Sequence, residues 1–118
     1  MFVDTTPPCP ARSARRTDAD RLREALVALA GGHGVVLAHE ERAWASVTFA
    51  GARHRVTLEF AGDAAVAGGE NLIAELPEHE FTLPRQLVAD ATVCAVEHVL
   101  LPKPNLRVEC ELLLVEDT

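Results

Sequence analysis

Two six-residue stretches, "RVTLEF" at 55–60 and "RVECEL" at 107–112, alternate apolar and polar residues without a break. In the first, Val56, Leu58 and Phe60 fall on one side and Arg55, Thr57 and Glu59 on the other. In the second, Val108, Cys110 and Leu112 oppose Arg107, Glu109 and Glu111. A period of two is the period of a β-strand, so each stretch is expected as a strand with one buried and one solvated face. A slip of one residue would bury every charge on the wet side, which specifies the register strongly. The chain must therefore build a sheet that is greasy on one side only.

Each strand region is preceded by a candidate helix. In "TDADRLREALVALAGG", Thr17 and Asp20 have the spacing of a capping box, and Gly31 with Gly32 supplies a stop. Leu22, Ala25, Leu26, Leu29 and Ala30 make one helical stripe. In "GDAAVAGGENLIAELP", Asp63 is placed to cap, Val66, Gly69, Ile73 and Leu76 form the stripe, and Pro77 ends it. Gly68 and Gly69 each cost this helix roughly 1 kcal/mol relative to Ala, so it depends on packing.

Short strands are expected at "GVVLA" and "EFTLP", each followed by a hairpin. A two-residue turn at Gly51 and Ala52 places Ala43, Ala45, Val47 and Phe49 on the face of Val56, Leu58 and Phe60, with Trp44 outward beside Glu59. In the second hairpin, closing "PKPN" places Leu101 opposite Leu106 and His98 opposite Glu109. The core face is then Leu87, Ala89, Ala91, Val93, Ala95, Val99 and Leu101 with Leu106, Val108, Cys110, Leu112 and Leu114. A helical stripe also runs through Leu87, Ala91, Cys94 and His98, but the branched Val88, Thr92, Val93, Val96 and Val99 favour strand. A shift of 46 aligns the first parts of the two halves and a shift of 52 aligns "RVTLEF" with "RVECEL". The expected fold is α+β: two helices on a mainly antiparallel sheet, an α-β-β-β plan used twice, as an internal duplication would produce. Residues 18–118 form one α+β domain with pseudo-repeats at about 18–61 and 63–116. Residues 1–17, with Pro7, Pro8, Pro10, Arg12, Arg15 and Arg16, read as a disordered arm.

Eighteen Asp and Glu against eleven Lys and Arg leave a net charge of −7, which disfavours nucleic-acid partners. No apolar run is long enough to cross a bilayer, and no secretory core opens the chain, so no membrane role and a cytoplasmic location are expected. Three cysteines without paired spacing fit reduced thiols: Cys9 accessible, Cys94 on the outer face and Cys110 in the core.

No phosphate-binding loop or nucleophile elbow is present, and the histidines lack HxxxH or HExxH spacing, so no cofactor, metal or catalytic residue is assigned. Two clusters could still carry chemistry. His98 with Glu109 and Glu111 on one face has ligand-type groups, as does the corner Glu78, His79 and Glu80. With Trp44, Arg55 and Arg107 they define the candidate binding residues of a small-molecule-binding protein or small enzyme.

The stronger expectation is a non-enzymatic binding or assembly module. Val88, Val96, Leu100 and Leu113 point away from the helices in the expected register, and an exposed apolar patch rimmed by charge marks association. A patch complementary to itself suits a symmetric homodimer, with a protein or small-molecule partner also open. In outline, a doubled unit of one helix and three strands resembles sliding clamps and vicinal-oxygen-chelate proteins. This chain lacks the basic inner surface of the first and the His and Glu ligand set of the second.

Overall fold

A computed structural model describes residues 17–116; the expected arm up to residue 16, with Cys9, lies outside the described residues, and Thr17 belongs to the first helix as its cap. The chain order is α1 (Asp18–Leu29), β1 (Val35–Ala45), β2 (Ala50–Ala61), α2 (Asp63–Glu75), a 3-10 turn (Leu76–Glu78), β3 (Gln86–Val99) and β4 (Asn105–Glu116). The four strands form one antiparallel sheet in the order β1-β2-β4-β3, so the two alternating stretches lie side by side at its centre. The class is α+β, with both helices over one face.

The alternation is obeyed where it is strictest. Val56, Leu58 and Phe60 of β2 and Leu106, Val108, Cys110, Leu112 and Leu114 of β4 are fully or almost fully buried. Leu22, Leu26 and Ala30 of the first helical segment and Val66, Leu72 and Leu76 of the second close the core from above. Each buried aliphatic or aromatic side chain contributes about 1.5–3 kcal/mol of transfer free energy. Thr17 and Asp20 form the expected capping box at α1. At α2, Asp63 is the first helical residue and Gly62 is the cap, without a side-chain hydrogen bond.

The plan departs from expectation in strand count: each half is α-β-β, giving four strands rather than six. "GVVLA" is the start of β1, which continues through His39, Glu40, Glu41 and Arg42 to Ala45. An edge strand open to water tolerates this polar run, and a bulge between Val36 and Ala38 resets its faces. "EFTLP" makes only an isolated bridge, Leu83 to Gln86, with Phe81 and Leu83 packing on the core instead. Residues 86–99 are strand, as the branched side chains indicated.

Both hairpins turn elsewhere than expected. The first turns at 46–49: Ser46 N–H donates to the Phe49 carbonyl at 2.7 Å, and Phe49 N–H donates to Ser46 Oγ at 3.1 Å. Ala45 faces Ala50, Trp44 faces Gly51, and Val47 and Phe49 are exposed turn residues. Gly51 is within β2 because a Cβ there would lie 2.0 Å from the Leu114 carbonyl oxygen; it marks a close approach of strands. In the second hairpin Val99 faces Asn105 and Leu101 lies in the loop. Bulges between Val88 and Asp90 and between Val93 and Ala95 swap faces along β3. Ala91 and Val93 therefore keep the expected core side, whereas Leu87, Ala95 and Val99 move to the outer side.

The second helix's glycines are explained by contact. A Cβ on Gly69 would lie 2.7 Å from both Leu106 Cδ2 and Phe60 Cδ2, and one on Gly68 would lie 2.2 Å from the Ala30 carbonyl oxygen. Asn71 Nδ2 donates to the Leu29 carbonyl at 2.9 Å, so α2 also satisfies the open C-terminal end of α1. Gly68→Ala should therefore destabilise the fold by roughly 1–3 kcal/mol, despite a gain of about 1 kcal/mol in intrinsic helix propensity. Denaturant unfolding measures this, and a more stable variant would show that the two helices do not meet at Gly68.

Candidate functional site

The solvated face is a lattice of charges. Arg55 places Nε 3.3 Å from Glu109 Oε2 and Nη2 3.4 Å from Glu111 Oε2, while Arg53 Nη1 lies 3.9 Å from Glu111 Oε1. Arg107 Nη2 lies 3.6 Å from Glu59 Oε2, and its Nη1 is 4.0 Å from Glu97 Oε1. A shift of 52 carries Arg55 to Arg107 and Glu59 to Glu111, so the cross-strand pairs of the two halves correspond. Thr57, which the same shift carries to Glu109, faces Glu109 across the central ladder; the approximate twofold relation of the halves passes there.

Of the sequence candidates, Arg55, Arg107, Glu109 and Glu111 are brought together on this face. His98 is not: the β3 bulges place it opposite Leu106 on the helix side, away from Glu109 and Glu111. Trp44 faces Gly51 rather than Glu59, with its indole Nε1 buried and unpartnered. Glu78, His79 and Glu80 are exposed, and the His79 ring stacks edge-on against Phe81 at 4.6 Å. The expected apolar patch is also divided. Val88 packs against the core, Val96 faces Val108, Leu100 lies in the β3–β4 loop, and Leu113 stays on the outer side. Cys94 is exposed at a bulge, and burial pushes the Cys110 thiol up to about 12, an inert core position.

A polar chain on the helix side was not singled out from sequence. His54, on the core face of β2, is the one buried polar or charged residue among those described, at 1% exposure. Its Nδ1 lies 2.9 Å from His39 Nε2, and His39 Nδ1 lies 2.8 Å from Arg23 Nη1. Arg23 in turn pairs with Asp20 of the capping box. Because a guanidinium only donates, His39 accepts at Nδ1, carries its proton at Nε2 and donates to His54. Both rings must then be neutral: a second proton on either would set N–H against N–H. Desolvation by burial, the largest cause for both, lowers their pKa values, and their neighbours' charges act further on each. The signal was legible: Arg53 and Arg55 point outward, so His54 between them must point inward.

The same shift that relates the halves carries His54 to Leu106, and Val96 faces Val108 as His39 faces Val56. The second half thus has apolar residues where the first has imidazoles. Arg23, His39 and His54 can hold one another in place but, among the described residues, no group of three or more His, Cys, Asp or Glu is placed to hold a metal ion.

Exposed apolar side chains gather at both ends of the sheet. At the β1–β2 end, Val47, Phe49 and Leu87 are exposed around a shallow concavity of about 370 Å³ that Val115 also lines. Ala43, Ala45, Ala50 and Ala52 pair there on the helix side. At the other end Val99, Leu100 and Leu101 are exposed, Leu101 to 80%.

No family description and no curated protein matches this chain. A chain in the solved structure of the virion of a native gene transfer agent particle is similar, with a TM-score of 0.57 and 14% identity. The match covers 83% of this chain and 91% of that one. The likeness is one of fold. Among the described residues, no helix is long and apolar enough to cross a membrane.

The depressed histidine pKa values set a pH dependence. Unfolded histidine titrates near 6.5, so as pH falls below that value the unfolded chain takes up protons that the folded chain refuses, and stability declines. The thermal midpoint should fall between pH 7.5 and 5.5, and this fall should shrink in His54→Leu, which installs the residue type of position 106. Equal pH slopes for the two proteins would show that His54 is not held neutral by the fold.

Proposed function

We propose that the protein is a non-enzymatic assembly module that associates with copies of itself. The carrying observation is the pair of uncovered apolar hairpin ends. The two helices, 12 and 13 residues long, span only about 18–20 Å at 1.5 Å per residue. The 14-residue β3 spans about 46 Å at 3.3 Å per residue. The fold leaves Val47, Phe49 and Leu87 at one end and Leu100 and Leu101 at the other without intramolecular cover. Apolar side chains grouped at protruding ends are the feature of an association surface. The similar chain in the gene transfer agent virion belongs to an assembled particle, which supports the same reading.

The outer sheet face, expected from sequence to be the homodimer contact, offers less apolar area at its centre, where its arginines and glutamates already satisfy one another. The alternative built on His98, Glu109 and Glu111 loses support, because His98 lies on the helix side, apart from the two glutamates. Light scattering should find the wild type above monomer mass at micromolar concentration. Phe49→Glu combined with Leu101→Glu should weaken association tenfold or more, about 1.4 kcal/mol, while leaving the circular dichroism unchanged. A wild type that is monomeric at several hundred micromolar would defeat the assembly reading.

A further inference from the structure

The sheet has two open edges, and they are unequal. All three bulges lie on the edge strands, where they disrupt pairing with a further strand: one on β1 after Val36, two on β3 after Val88 and Val93. Beyond its bulge, β1 keeps an unbroken register with β2 from Ala38 to Ala45, so its outer edge is a regular row of eight residues. The longest uninterrupted register on β3, from Ala95 to Val99, is five residues.

The charge lattice also stops short at β1. On β2 and β4, Arg53, Arg55, Glu59, Arg107, Glu109 and Glu111 all take part in ion pairs. Glu40 and Arg42, on the same face of β1, form none among the described residues, and Arg42 faces the like-charged Arg53. A cation and an anion two residues apart on an open edge can complement themselves across a twofold axis.

We infer that β1 pairs antiparallel with β1 of a second copy about an axis at Glu41, joining two four-stranded sheets into one of eight. This deepens the assembly reading and rests on it. In this register Glu40 faces the partner's Arg42 and Arg42 faces the partner's Glu40, while Ala38 lies under the partner's Trp44. Backbone groups of the open edge gain ladder partners. The interface is isologous, as a closed dimer requires. Registers centred on Glu40 or Arg42 instead oppose two carboxylates or two guanidiniums on the outer face. The inferred register does set Glu41 against the partner's Glu41 on the helix side, a cost offset by the two Glu–Arg pairs and the ladder.

Sedimentation equilibrium on the full chain tests this by charge reversal. Arg42→Glu turns both interchain pairs into repulsions and should weaken the dimer tenfold or more. The double variant Glu40→Arg with Arg42→Glu restores opposite charges and should return the dissociation constant to within a few-fold of wild type. Opposed residues of an antiparallel pair are about 4.5–5.5 Å apart at Cα, within disulfide reach. Glu41→Cys, with Cys9→Ser and Cys94→Ser so that only the buried Cys110 remains beside it, should therefore oxidise to a covalent dimer, and Glu59→Cys in that background should not. A dimer indifferent to Arg42→Glu, or one not recovered by the charge swap, overturns the β1 pairing. If such a dimer is lost on combining Phe49→Glu with Leu101→Glu, the assembly reading survives without it. A monomeric wild type overturns both.

Discussion

The antiparallel ladder between β2 and β4 is the interaction on which the rest of the structure depends. It runs from Gly51 opposite Val115 to Ala61 opposite Asn105, and its helix side supplies most of the buried side chains. Each helix finds its apolar stripe a surface only because these two strands sit side by side. The close passage of Gly51 under the Leu114 carbonyl shows how little slack the ladder has. On the other side, the same register sets Arg55 against Glu111 and Arg107 against Glu59. Such exposed pairs are individually worth about 0–1 kcal/mol, so they tune the register more than they stabilise the fold.

Legibility in the sequence followed burial. Val56 to Phe60 and Leu106 to Leu114 have one face against the helices and one in water, so their alternation is enforced and could be read directly. The stripes through Leu22 and Leu26 and through Val66 and Leu76 were legible for the same reason, and the Thr17–Asp20 box because its chemistry is local. On the edge strands the type of element was legible but the faces were not. Glu40 meets water on an open edge between "GVVLA" and "ERAWASVTF", where no alternation enforces continuity, so one strand resembled two. The bulges at Leu37, Ala89 and Cys94 leave no residue signature, yet each reverses the faces beyond it. That is why His98 and Val88 ended on the side opposite to the one expected.

The candidate residues of the outer face were therefore partly legible: Arg55, Arg107, Glu109 and Glu111 on β2 and β4 share that face, Trp44 on β1 keeps the face but meets Gly51 instead of Glu59, and Val88, Val96 and His98 on β3 change sides. His54 was missed for a different reason. No acidic residue flanks it in the chain, and its partners come from α1 and β1. The chain Asp20–Arg23–His39–His54 ties the first turn of α1 to the sheet through directional contacts. The second half makes the corresponding junction with Leu106 and Val96 and depends on shape alone. A directional junction holds one geometry and is lost when a proton is added; an apolar junction is indifferent to protons but more forgiving of sliding.

The arrangement of strands also orders events in time. Each half is a helix and a hairpin closed by short connections, and β1 finds β2, or β3 finds β4, across a few residues. The central ladder joins positions far apart in the chain: Ala61 meets Asn105, and Gly51 meets Val115. Hairpins form in about 1–10 μs, whereas contacts between distant segments carry a larger loop-closure entropy and slow the approach to the native state. The topology thus places the largest closure cost on the meeting of the two halves around Thr57 and Glu109, and while that ladder is unmade both inner strands stand as open edges.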